Sequence, residues 1–257
     1  MDLPVIKTSG AVGWLRLNRP GAMNSLNRAT LERLRAQLAA WEGDDAVRVV
    51  VITGTGKAFC AGADLKEVMA PASPGESDFL DVAVKFFDVM RGFPKPVIAA
   101  INGLAMAGGT EIVLACDIVL AAESARLGDA HSNFGVFPGA GGAAILPRKV
   151  PANVAKYLLL TGDTLSAHEL KVYGLVNEVV ADDQLDARAQ ALAEVLAEKS
   201  PLVLARMKRV ADEAAGKSLA DALRHELLEL RNHLRSADLR EGLNAFAEKR
   251  KPVFTGR

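Results

Sequence analysis

The order of hydrophobic patterns predicts an α/β fold followed by an all-helical segment, and three observations carry that prediction. Apolar, β-branched runs at Val47–Thr53, Val97–Ile101 and Ile118–Ala122 have the length and unbroken hydrophobicity of buried strands. Up to about Asp182 such runs alternate with helical stretches, and from Asp183 onward only helical periodicity remains. Between two of the runs lies a short apolar helix with no polar face, which must be covered by protein on all sides. The chain therefore divides into a strand-and-helix core, residues 1–182, and a helical segment, residues 183–257. The apolar faces of that segment are expected to pack on the core or on another subunit.

In chain order, Val5–Thr8 and Val12–Leu17 read as a hairpin. A loop, Asn18–Asn27, precedes a helix from Arg28 to Trp41, which Asn27 caps and whose apolar stripe is Leu31, Leu34, Leu38 and Trp41. The strand Val47–Thr53 runs into GTGKAFCAGADLKEV, where glycines and small residues let backbone N–H groups approach a ligand. Met69–Ser77 reads as a surface loop before a helix over Asp78–Met90. The strand Val97–Ile101 ends at Gly103, and a helix over Thr110–Cys116 follows Ala107, Gly108 and Gly109. Helices are expected near Gly142–Lys149 and Ala152–Leu160, a capping box at Ser166 and Glu169, and a strand at Leu175–Val180. Four more helices, over Gln184–Lys199, Pro201–Ala215, Leu219–Arg235 and Leu239–Lys249, complete the chain.

The composition narrows the function classes. The 257 residues are 50% hydrophobic, and 31 basic residues balance 31 acidic ones, so no field of one sign draws the chain to nucleic acid or anionic lipid. The N-terminus lacks a basic segment followed by an apolar core, and the only cysteines, Cys60 and Cys116, sit in apolar surroundings. Free thiols and a cytoplasmic setting are expected. The greasy stretch from Val97 to Ala122 is interrupted by Asn102, two glycines, Glu111 and Asp117, which argues against a membrane span. Gly103–Thr110 lacks the lysine of a P-loop, and Gly139–Ala144 fits GxGxxA after a proline rather than a strand, so neither is read as a nucleotide site. No histidine and carboxylate pair has metal-ligand spacing.

Glu111 stands among Ile112, Val113, Leu114 and Ala115, and a carboxylate is seldom buried there without a partner or a task. Its plain structural alternative is to cap its own helix. Two small-residue turns, around Ala61–Asp64 and Ala107–Gly109, each follow a strand. If those strands are neighbours, the turns open on one end of the sheet and their amides can meet on one oxygen, as an oxyanion hole.

FCAGADLKE (Phe59–Glu67), INGLAMAGGTEIVLACDIVLAAE (Ile101–Glu123), FPGAGG (Phe137–Gly142) and FAEKRKPVF (Phe246–Phe254) resemble the enoyl-CoA hydratase/isomerase, or crotonase, family. LNRPGAMNSLN (Leu17–Asn27) matches its N-terminal signature, and the motifs keep the family's order over nearly the whole chain. The resemblance implies a crotonase-like core of repeated ββα units, a C-terminal helical trimerisation segment, and a homotrimer or dimer of trimers. It implies an acyl-CoA thioester as substrate, with coenzyme A part of that substrate and no separate cofactor. By position, the amides of Ala63 and Gly108 would form the oxyanion hole, and Ala63, Asp64, Leu65 and Lys66 would line the CoA pocket. Phe246 and Lys249 would reach the adenine and its phosphate across a subunit boundary.

One departure matters. Glu111 matches the first of the two glutamates with which typical hydratases hold a water, but His131 occupies the second position, in Ala130-His131 where PE is usual. An imidazole can donate or accept a proton near neutral pH, so Glu111 and His131 are the candidate catalytic pair. The plain alternative for His131 is a turn residue with an ordinary hydrogen bond. His168, His225 and His233 read as surface residues. The expected activity is that of an enoyl-CoA hydratase-like lyase adding water reversibly to an α,β-unsaturated acyl-CoA. Another reaction of the family, hydrolysis or isomerisation, or a non-catalytic acyl-CoA-binding subunit, are the alternatives. Chain length and branching of the acyl group are assigned to a pocket wall between Met69 and Phe87.

Overall fold

In the computed structural model, residues 3–71, 75 and 77–257 are described. The first half comprises β1 (Val5–Ser9), β2 (Val12–Leu17), α1 (Arg28–Glu42), β3 (Val49–Gly54), β4 (Ala58–Cys60), α2 (Leu65–Met69), α3 (Phe79–Gly92), β5 (Val97–Ile101), β6 (Leu104–Met106) and α4 (Gly108–Leu114). The second comprises β7 (Ile118–Ala122), β8 (Arg126–Gly128), α5 (Gly142–Lys149), α6 (Ala152–Thr161), β9 (Thr164–Ser166), α7 (Ala167–Val172), β10 (Glu178–Val180), α8 (Leu185–Ala197), α9 (Pro201–Ala214), α10 (Leu219–His233) and α11 (Ala237–Ala247). Ala72, Ser73, Pro74 and Glu76, within the expected loop and pocket wall, lie outside the described residues.

Two sheets form. One has the order β1-β2-β3-β5-β7-β10, antiparallel only between β1 and β2; the other has the order β4-β6-β8-β9. The architecture follows from a unit that repeats: a strand in the first sheet, a three-residue strand in the second, then helix, as in β3-β4-α2, β5-β6-α4 and β7-β8-α5. The expected ββα repeat is thus present. Every residue of β3 and β5 is buried, as central parallel strands covered on both faces require. Asn27 caps α1 through the Thr30 amide, and Leu31, Leu34, Leu38 and Trp41 form its buried face. The capping box at Ser166 and Glu169 opens α7.

Some boundaries and elements differ from expectation. The helix read as Thr110–Cys116 begins two residues earlier, at Gly108, because the chain turns directly out of β6 at Ala107. The last strand covers only Glu178–Val180 of the expected Leu175–Val180. The strands β4, β6, β8 and β9, three residues each, were not anticipated.

After a 3-10 turn at Asp182–Gln184 all remaining elements are helices. α8 buries Leu185, Ala189 and Ala193 in the core cluster and touches β2, β3, β5 and β7, so by burial the core reaches past Asp182 to about Ala197. α9 and α10 bury no residue. They are tied back by polar links instead. Lys208 Nζ reaches Asp117 Oδ2 at 2.8 Å, and that same oxygen accepts the Val97 amide at the start of β5. The buried Asp238 carboxylate accepts from Ser200 Oγ and from the Thr255 and Gly256 amides, fastening the last residues of the chain.

Candidate active site

The two small-residue turns do open side by side, and the short strands place them. β4 pairs in parallel with β6, Ala58 with Leu104 and Cys60 with Ala105, so the turns that leave these strands are neighbours. The Asn18–Asn27 loop is stitched to the first turn: Leu26 N–H donates to the Gly62 carbonyl at 2.8 Å, and Asp64 N–H donates to the Leu26 carbonyl at 2.8 Å. Asn24, 1% exposed, anchors that loop by donating to the Thr55 and Ala58 carbonyls. The second turn is drawn tight by Ala107, whose φ of 47° and ψ of −120° is a conformation that costs on the order of 1–3 kcal/mol for a residue with a side chain. Thr110 Oγ1 pins α4 to the second sheet through the Ala105 and Gly128 carbonyls.

The result is close apposition. A Cβ on Gly109 would run into the Cys60 carbonyl oxygen, so only glycine lets α4 start against β4. A Cβ on Gly108 would lie 3.5 Å from the Ala63 nitrogen. Among the described residues, neither the Ala63 nor the Gly108 amide has a protein acceptor, and Gly108 stands at the positive end of α4. Two unfilled N–H groups this near one another can hold one anionic oxygen.

Glu111 is 4% exposed, and it does not cap its helix: the N-cap is Ala107, with no side-chain bond. Its Oε1 instead accepts two amides from the following loop, Ala140 N–H at 2.7 Å and Gly142 N–H at 3.0 Å. Gly139–Ala144, rejected as a dinucleotide fingerprint, therefore does bind an anion at the start of α5, and the anion is the protein's own carboxylate. Among the described residues the second oxygen, Oε2, has no protein donor, and it is not sealed from solvent, so it is open to a ligand. Arg91, on α3, braces the loop from behind by donating to the Ala140 carbonyl at 3.1 Å.

His131 opens a 3-10 turn, His131–Phe134, with its ring Nδ1 2.8 Å from Asp129 Oδ1. Asp129 is 1% exposed, and among the described residues its Oδ2 has no partner. A Cβ at Gly142 would lie 2.5 Å from Asp129 Oδ2 and 3.5 Å from Glu111 Oε1, so the two acids flank one point. Burial opposes charge on the imidazole, but the Asp129 hydrogen bond and the charges of Asp129 and Glu111 outweigh it and hold the pKa above the usual histidine value.

Of the expected site residues, the structure brings together Ala63, Gly108, Glu111 and His131. Asp64, Leu65 and Lys66 continue from the first turn: Asp64 caps α2 through the Lys66 amide and pairs with Arg19 at 3.0 Å, while Leu65 is exposed. Phe246, 85% exposed, and Lys249, at φ 54°, lie at the end of α11. His168 lies on α7, and His225 and His233 lie on α10. Residues missed by sequence reasoning are Asp129, Arg91 and the amide donors Ala140 and Gly142. The aspartate two positions before His131 was the one available signal. Cys60 and Cys116 are buried free thiols, and burial pushes the Cys60 pKa up to about 12.

A sequence model of the family described as enoyl-CoA hydratase/isomerase matches residues 7–257. The chain is 37% identical over 247 residues to the 2,3-dehydroadipyl-CoA hydratase of Escherichia coli, covering 95% of this chain and 94% of that one. It is 36% identical over 241 residues to the crotonyl-CoA hydratase of Syntrophomonas wolfei, covering 93% of each. The crystal structure of an enoyl-CoA hydratase from Bacillus anthracis superposes with a TM-score of 0.93 at 38% identity, covering 99% of both chains.

Proposed function

The chain belongs to the enoyl-CoA hydratase/isomerase family, and from that membership we propose that it adds water reversibly across the double bond of an α,β-unsaturated acyl-CoA. The observation that carries the proposal is the pair of unfilled amides at Ala63 and Gly108 beside the open oxygen of Glu111. A thioester's β-carbon accepts a nucleophile only when negative charge on its carbonyl oxygen is stabilised. The two N–H groups and the positive end of α4 supply that stabilisation, and one such donor is typically worth about 10²- to 10³-fold in turnover. Oε2 of Glu111 takes the proton of the water that attacks the β-carbon, and His131 assists the proton movements. With Oε1 fixed by two amides, Oε2 has a set position from which to act.

Ala63, Asp64, Leu65 and Lys66 follow the hole directly and would receive the CoA arm. Phe246 and Lys249 would complete the adenine site of a neighbouring subunit. A trimer or dimer of trimers is supported by α10, where Leu223, Leu227, Leu230 and the C-cap residue Leu234 form one exposed apolar stripe at helical spacing. Among the described residues no helix is long and apolar enough to cross a membrane, and the two buried thiols fit a reducing, cytoplasmic setting.

Crotonyl-CoA tests the activity: the enoyl absorbance should fall as the 3-hydroxyacyl product forms. Glu111→Gln, which keeps the size of the side chain, should cut kcat at least ~10²-fold with CoA affinity little changed. Hydration at wild-type rate in that variant would refute the role of Glu111.

A further inference from the structure

We infer that Asp129 is a positioning residue that holds His131 as an imidazolium with Nε2–H presented to the substrate, so that Glu111 is the base of the hydration and His131 is its acid. This rests on the hydratase reading above and assigns the two proton-transfer roles within it.

The argument begins with Asp129. It is 1% exposed, and among the described residues its only cationic partner within ion-pair distance is His131, whose Nδ1 lies 2.8 Å from Oδ1. A buried carboxylate with no counter-charge is strongly disfavoured, so the partner ring is held charged. The same oxygen accepts the His131 backbone amide at 3.3 Å, which locks the spacing of ring and acid. With Nδ1–H committed to Asp129, the remaining ring proton is on Nε2, which among the described residues has no protein acceptor and is not sealed from solvent. The charged groups acting on the ring are Asp129 from its own turn and Glu111 from α4. α6, packed against the turn, carries Lys156 and Tyr157, and the Tyr157 hydroxyl donates to Asp163.

Glu111 is the complement. It is an anion held by two amides, suited to take a proton rather than give one at the outset. The step then balances. Water oxygen bonds to the β-carbon as its proton passes to Glu111 Oε2. The π pair moves through the α-carbon onto the thioester oxygen, and the enolate collapses by taking the Nε2 proton at the α-carbon. The protein is left with a protonated Glu111 and a neutral His131, and the Glu111 proton returns to the imidazole through the next bound water.

The test is Asp129→Asn, which preserves shape and removes charge. The His131 ring is followed by proton NMR, assigned by its loss in His131→Gln. The imidazole should titrate at least about one pH unit lower in D129N. Its kcat should fall about 10²-fold with KM near the wild-type value, the alkaline limb of kcat moving to lower pH with the ring. In the His131→Gln background the same change should cost less than about twofold, because a positioning residue acts only through its partner. An unmoved titration, or losses that multiply in the double variant, would overturn the inference. Should D129N fail to fold, the wild-type enzyme decides alone: the alkaline limb of its kcat/KM, which reports the free enzyme, must coincide with the His131 titration, and a separation of the two rules out histidine as the acid. A protein with a normal titration but no turnover of any enoyl-CoA would instead remove the hydratase reading and the acid role that rests on it, leaving the ion pair intact.

Discussion

Two helices of this protein, α4 and α5, start on glycine, yet the amides at their starts are used in opposite ways. At α4 the amides of Gly108 and, beside it, Ala63 are left without partners. At α5 the corresponding amides, Ala140 and Gly142, are filled by Glu111. The lesson is that a helix start is a general anion site, and what it does depends on whether the protein occupies it itself. Left empty, it receives charge that develops on a ligand. Filled, it turns a flexible carboxylate into a fixed one.

The largest effect should come from closing the empty terminus. Gly109→Ala would drive its methyl against the Cys60 carbonyl, separating α4 from β4 and with them the Gly108 and Ala63 amides. We expect kcat on crotonyl-CoA to drop about 10²- to 10³-fold and stability in urea to drop by about 1–3 kcal/mol from overpacking. A variant with normal kcat would show that the two turns need not be apposed.

Emptying the filled terminus should be reversible. Glu111→Ala leaves the Ala140 and Gly142 amides unpaired around a side-chain-sized space, and added formate should occupy it. Turnover recovering about tenfold from its low level with saturating formate, on the scale of one general base, would establish the α5 start as the carboxylate's cradle. A flat response would place the function of Glu111 elsewhere.

A smaller loss is expected behind the cradle. Arg91→Ala removes the donor to the Ala140 carbonyl from a partly exposed site, and a few-fold fall in kcat, corresponding to about 1 kcal/mol, should appear without change in KM. The smallest effect concerns stability and pH. The folded His131 titrates above its ordinary value of 6.5, so its ion pair contributes fully below that value and is lost as pH rises through the raised one. The difference in Tm between the wild type and His131→Gln should therefore shrink on going from mildly acid to alkaline buffer. A difference that grows with pH would mean the ring is neutral in the fold.

The long elements were legible in the sequence because each carries its own periodic signal: the stripe of α1, the all-apolar β3 and β5, the capping box of α7. β4, β6, β8 and β9 were not, since three residues are too few to show a period and their pairing is decided by the sheet they join. In the site, the turn glycines and the lone acid of α4 stood out. The contacts of Glu111 did not, because its partners are backbone amides, which leave no mark on side-chain identity. Asp129 was hidden for another reason: an aspartate after a strand reads as an ordinary turn residue until the fold shows it sealed beside a histidine.

The donors proposed to hold the thioester oxygen belong to peptide bonds, and the genetic code has no ordinary substitution that deletes a peptide N–H except proline. They carry no ionisable proton in the working range, so acidity cannot switch them. Side chains around the proposed hole, His131 among them, can therefore be exchanged while the amides that would accept an enolate persist. New reactions on such a scaffold need edits only to the side chains that move protons.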